Sequence, residues 1–245
     1  MRKLVFLALF LSSFAFSQTT INEVIYKKKV NVVFNKKVEK RIIELYKKVA
    51  EESRKFKYKL QFNKSISFFE KVEFLEKEKM SHASILANFI GLDPGKYYID
   101  TGRDSVVHQE SFRTDLFRVT AKLSDKNWQV TMDSVKKIGK YTCYKATGIK
   151  KVLVASGKIK TFPIVAWFTT ELAYPFGPAD YGGLPGLILE LHIKSAIIYA
   201  DKITLNKKLT KKEQGIKPLK KGILLSSEDY IKMQKSGGVY KRPKR

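Results

Sequence analysis

The feature that most restricts this chain is a succession of short runs in which apolar and polar residues alternate, about ten residues apart and separated by turn-forming residues. Such runs are strands with one buried face. Residues 23–34 open the series, with Val24, Tyr26, Val30, Val32 and Phe34 on one face and Lys28 as the exception. Tyr58, Leu60 and Phe62, then Ile66 and Phe68, predict a hairpin around Asn63-Lys64. Further strands are expected over 96–101, 105–109, 112–123, 128–132, 141–146, 151–155 and 160–170, with 187–205 as a last hairpin turning near Lys194-Ser195. Gly148 is read as the join between two of them, and Val165, Trp167 and Thr169 as one face of another. Thr101-Gly102-Arg103-Asp104, Ser124-Asp125-Lys126-Asn127 and Asp93-Pro94-Gly95 supply turn chemistry.

Helical periodicity is scarce. From 36 to 56 the apolar positions Val38, Ile42, Leu45, Tyr46 and Val49 step by three and four, which marks an amphipathic helix. Residues 74–90 predict a short helix or a surface loop, and Ser226-Ser227-Glu228-Asp229 starts a short helix to about Lys235. No regular strand–helix alternation is present. The expected fold is mainly β (α+β), an antiparallel sheet or half-barrel with one long and one or two short helices.

The N-terminus carries an address. Met1-Arg2-Lys3 is basic, residues 4–16 are nearly all apolar, and Ala15-Phe16-Ser17 places small residues before Gln18. That layout predicts a secretory signal peptide over 1–17, cleaved near Ser17/Gln18, with no cysteine there for a lipid anchor. A single β-rich domain over 18–206 and a basic extension with a short helix over 207–245 are expected to follow. Elsewhere no long apolar run occurs, and a mean hydropathy of −0.25 excludes a multi-span membrane protein. With 44% hydrophobic and 12% aromatic residues the chain is not disordered. Cys143 is the one cysteine, so no disulfide framework exists; it is expected to be a buried thiol.

The formal charge is +25. Export and the even spread of lysines argue against nucleic acid as partner and for anionic lipids of the envelope. Chemistry-bearing motifs are sparse. His82, His108 and His192 show no metal-ligand spacing, and neither a phosphate loop nor a nucleophile elbow is found. Glu190 and His192 would share one face of a strand; with a nearby hydroxyl they would suggest a hydrolase. No catalytic residue, metal or cofactor is expected.

Trp167 to Leu191 is the densest signal. Gly177-Pro178 and Gly182-Gly183-Leu184-Pro185-Gly186 predict a rigid shaped loop between two strands, with Pro185-Gly186 at the centre of a type II turn. The loop is either structural, packing Trp167, Tyr181 and Leu184, or a docking rim. This block, with Leu187-Ile188 completing it, resembles the GLPGLI family of exported Bacteroidota proteins. Residues 128–131, 138–146 and Trp167-Phe168-Thr169 are similar to that family's other recurring stretches. The resemblance implies an envelope protein of no established biochemical role, found alongside TonB-linked outer-membrane transport components. The binding or structural motif is therefore assigned to Trp167, Phe168, Pro178, Tyr181, Gly182, Gly183, Leu184, Pro185, Gly186 and Leu187. The expected function is non-enzymatic binding or carriage of a lipid-like or peptide ligand, or service as an accessory partner of an outer-membrane transporter.

Overall fold

A computed structural model describes residues 20–32, 34, 38–72, 81–92, 95–153, 158–210 and 215–236. The expected signal peptide and the turn residues Asp93-Pro94 lie outside the described residues. The chain is mainly β. Its strands are β1 (Thr20–Val30), β2 (Lys57–Phe62), β3 (Ile66–Lys71), β4 (Lys96–Asp100), β5 (Ser105–Phe112), β6 (Asp115–Lys122), β7 (Gln129–Ile138), β8 (Tyr141–Leu153), β9 (Ile159–Thr169), β10 (Leu187–Ile193), β11 (Ala196–Lys208) and β12 (Ile223–Ser226). The helices are α1 (Lys40–Ser53), α2 (His82–Phe89) and α3 (Ser227–Lys235). None of them is long and apolar enough to cross a membrane.

All strands join one open sheet in the order β12-β6-β5-β4-β3-β2-β1-β11-β10-β9-β8-β7. Pairing is antiparallel except for β12, which lies parallel to β6. Two meanders run outward from the central β1–β11 pair. β6 and β7 are joined by residues 123–128 although nine strands lie between them. In a flat sheet they would be roughly 48 Å apart. The link spans at most about 24 Å. The sheet therefore curls toward a half-barrel with a concave and a convex face.

The concave face carries the core. Val24, Tyr26, Val30, Leu60, Phe62, Phe69, Ile99, Ala166, Phe168, Leu191 and Ile198 are buried there in one cluster. Side-chain alternation placed Val24, Tyr26 and Val30 of β1 and the face of β2 correctly, but β1 runs Thr20–Val30, so Val32 and Phe34 lie beyond it. On β3 the inward pair is Ser67 and Phe69, opposite Phe62 and Leu60, so Phe68 is only half-buried. The Asn63 turn fixes that register: its Oδ1 accepts from the amides of Ser65 and Ile66. On β9 the buried face is Ile164, Ala166 and Phe168, while Val165 and Trp167 lie half-buried on the convex face.

Other boundaries also differ from expectation, and β7 runs on to Ile138 instead of stopping at Met132. Residues 112–123 are not one strand, because Arg113, at φ 54°, turns the chain between β5 and β6. Residues 141–153 are one strand, not two; Gly148 does not break it but leaves room for the Trp128 ring, which lies 3.1 Å from where a Cβ would stand. β12 has too few residues for a period to show, yet with α3 it seals the β6 edge, packing Leu225, Tyr230 and Met233 on Phe117. Ser226 caps α3 as expected, accepting from the Asp229 amide. The α1 prediction holds in its packing: Val49 is buried, Ile42, Leu45 and Tyr46 are half-buried, and most of the lysines and glutamates point outward.

Lys28 explains its own exception. It has no solvent exposure and lies on the concave face with Tyr26 and Val30. Its ammonium donates to the carbonyls of Ala87, Asn88 and Ile90, the unpaired acceptors at the end of α2. Phe56 and Tyr58 present their rings to it at 5.0 and 5.8 Å.

Candidate functional site

The glycine–proline segment, residues 170–186, folds into the concave side of the sheet. Phe176, Ala179, Tyr181 and Leu184 are buried, as are Pro178, Gly182 and Gly186. Tyr174 and Phe176 pack their rings on Phe62 of β2, at 4.9 and 5.8 Å. Trp128 donates its indole N–H to the Gly182 carbonyl at 2.8 Å. Tyr26 of β1 donates to the Ile188 carbonyl at 2.6 Å. Backbone bonds from Gly183 to Pro175, Leu187 to Leu172 and Ile188 to Phe176 hold the segment against itself. The loop thus ties the β2 side of the sheet to the β9–β10 side.

The glycines there are required for close approach. A Cβ on Gly186 would stand 2.0 Å from the Thr169 carbonyl oxygen, and one on Gly182 would stand 2.7 Å from that of Pro175. The type II turn expected at Pro185-Gly186 is not formed in that way. Positive φ falls instead on Gly183, at 83°, and on Ala179, at 55°. Pro185 and Gly183 are the exposed members of the motif. Phe168 and Leu187 are buried in the core, and Phe168 packs on Tyr144 with ring centroids 6.1 Å apart.

Asp180 sits at the tip of this segment and pairs with Lys126. Burial works to raise its pKa, but Lys126, Lys150 and His108 outweigh that and hold it below the usual carboxylate range. Lys126 also lies over the Tyr181 ring at 4.7 Å. The pair fastens the link between β6 and β7 onto the loop.

A second group of polar residues lies on the convex face of the same strands. Glu190 accepts from Lys136 at 2.7 Å and is also bonded to His192 Nε2. The Lys136 ammonium stands 4.4 Å from the Trp167 ring centroid. Burial would raise the Glu190 pKa, but His192 and Lys136 together bring it down to about 2. Cys143 is paired with Lys136 in the β7–β8 ladder and is fully buried, which pushes its thiol up to about 11. The structure therefore joins Glu190 and His192, as their spacing suggested. The third member is the ammonium of Lys136 rather than a hydroxyl, and Lys136 and His192 both bond the same carboxylate oxygen of Glu190. This is an ion-pair cluster over an aromatic ring. Sequence reasoning missed Lys136, which reaches Glu190 only because β7 is bulged between Thr131 and Val135.

The remaining titratable residues are dispersed. His82 begins α2, and His108 stacks on Tyr97 at 4.2 Å. Asp100 and Asp104 act in turns, accepting from the amides of Arg103 and Ser124 respectively. Among the described residues, no group of three or more His, Cys, Asp or Glu is placed to hold a metal.

A family model described as a protein of unknown function (Porph_ging) matches residues 154–190, which includes the glycine–proline block. No curated protein matches the chain. Among solved structures, PNGF-II in one crystal form aligns at TM-score 0.50 and 15% identity, over 88% of this chain and 32% of that one. A second crystal form gives TM-score 0.49 at 15% identity, over 88% and 33%. The Mycobacterium tuberculosis lipoprotein LppX aligns at TM-score 0.28 and 10% identity, over 78% and 88%. At 15% identity the PNGF-II likeness is one of fold, and the chain spans about a third of the PNGF-II chain.

Proposed function

We propose that this chain is an exported, GLPGLI-like envelope protein that binds a protein partner on its surface, without catalysing a reaction. The observation that carries this reading is the position of residues 170–186. A carrier of lipid would need the concave side of the half-barrel, and Phe176, Tyr181 and Leu184 occupy it. The convex face is a lattice of cross-strand ion pairs, among them Lys27–Asp201, Lys59–Glu70 and Lys207–Glu23. Such a face offers charge and shape to a partner.

The partner class we favour is an outer-membrane transport component. Cross-linking in intact cells, followed by mass spectrometry, tests it. The expected product is a discrete adduct with a membrane protein. Native mass spectrometry of the purified chain is the companion measurement. The expected mass is that of the polypeptide from Gln18; a stoichiometric lipid adduct, or the absence of any protein adduct in cells, overturns the reading.

A further inference from the structure

The two edges of the sheet are treated differently. At one end β12 has four residues, and α3 follows it at once to pack on Phe117. That is a short, covered edge of the kind that prevents unwanted pairing. At the other end stands β7, ten residues long and free of proline. β8 pairs with one of its sides, and among the described residues no strand pairs with the other. Three of its apolar side chains are held out to solvent, Val130 at 41% exposed, Met132 at 54% and Val135 at 50%, while Ile138 packs against the core. The bulge splits the strand, leaving 135–138 as an uninterrupted stretch of edge backbone.

Charge selects what such an edge would take. From Gln129 to Leu153 the hairpin contains Lys137, Lys140, Lys145, Lys150 and Lys151, besides Lys136, which is already engaged by Glu190, against the single acid Asp133. A second copy pairing edge to edge would set these lysines against their equivalents. An extended segment rich in Asp or Glu meets them with opposite charge, while its backbone completes the ladder.

We propose that β7 is a strand-addition site for an extended acidic segment of a partner protein, paired along 135–138 and held by Lys137 and Lys140. This rests on the partner-binding reading above and names its surface. The main-chain ladder supplies affinity, and the lysines supply the choice of partner.

The test uses the full mature chain and a synthetic peptide that alternates glutamate with valine. Amide hydrogen exchange should slow along 135–138 when this peptide is added. A peptide of lysine and valine should give no protection. The double variant Lys137→Glu, Lys140→Glu, at two surface positions, should weaken the acidic peptide about tenfold at low salt while the melting temperature stays put. Unchanged exchange along β7, or equal protection by the basic peptide, overturns the site. Protection with no peptide present that deepens with protein concentration assigns the edge to a second copy instead. Tighter binding to phosphatidylglycerol vesicles than to the acidic peptide, with no slowing along 135–138, assigns the lysines to a lipid surface. A protein adduct in cells whose cross-links lie away from β7 would remove this site and leave the partner-binding function intact.

Discussion

Lys28 donates to the carbonyl of Ala87 at 2.5 Å from a position with no solvent exposure. A lysine of the central strand thus closes the end of a helix that begins more than fifty residues later. Burial lowers its pKa to about 7, with the neighbouring charge of Lys71 adding to the effect. In the unfolded chain it titrates near its ordinary value of 10.5. Between these values the unfolded state binds more protons, so stability contributed by this group rises with pH. Wild-type urea midpoints are expected to rise from pH 7 to 9, and Lys28→Met is expected to flatten that rise. Above pH 9 Cys143 draws the other way, because its thiol ionises more readily unfolded than folded. Denaturation curves at three pH values in this window check the sign.

Gly186→Ala should fold poorly. Its methyl would meet the Thr169 carbonyl, a backbone atom that cannot move aside alone. A loss of about 3 kcal/mol or more is expected. Pro185→Ala, one residue away and exposed, should stay within about 1 kcal/mol of wild type. Thermal unfolding of the pair separates a structural loop from a docking rim: a Gly186→Ala protein with native stability would refute the structural reading.

Glu190 makes the protein acid-sensitive. Its folded pKa of about 2 lies below the unfolded value of 4.5, so its stabilisation is complete above pH 4.5 and lost toward pH 2. Glu190→Gln is expected to lose roughly 2 kcal/mol at pH 7 and to unfold with a shallower acid transition. Circular dichroism followed from pH 6 to 2 measures both.

Two core tyrosines should respond oppositely to loss of their hydroxyls. Tyr26 donates to Ile188, and Tyr26→Phe orphans that carbonyl at a cost of about 1–2 kcal/mol. The Tyr58 hydroxyl is buried without a hydrogen-bond partner among the described residues, so Tyr58→Phe should be neutral or stabilising by up to about 1 kcal/mol. Chemical denaturation of both variants at pH 7 is sufficient.

Cys143 should resist iodoacetamide at pH 8 in the native protein and react fully in denaturant, since it is buried and its thiol is held protonated. Rapid native labelling, read by mass, would contradict the burial.

Much of the sheet was legible because alternation is a local property. Val24 and Tyr26, or Leu60 and Phe62, declare their face with no knowledge of what covers it. Lys28 breaks the pattern because its partners come from another element, which no window of sequence contains. Phe68 and Phe69 are adjacent, so apolarity cannot choose between them, and the Asn63 turn decides. Gly148 illustrates the ambiguity of glycine: the residue that suggested a break is there to admit an indole ring. The Trp167–Leu191 block was legible as a shaped loop, but not its direction. Nothing local says that Tyr181 and Leu184 turn inward to fill the sheet's own concavity, because that depends on Phe62 and Trp128 from distant parts of the chain.

The central β1–β11 pair has a kinetic consequence. Thr20 lies opposite Lys208, so the middle of the sheet cannot close until almost the whole chain has been made. Each meander before that moment is a stack of hairpins with an open flank. Non-local pairing of this kind slows folding toward the millisecond-to-second range and leaves strand edges exposed meanwhile. The chain acquires its final shape only when its first strand meets its eleventh.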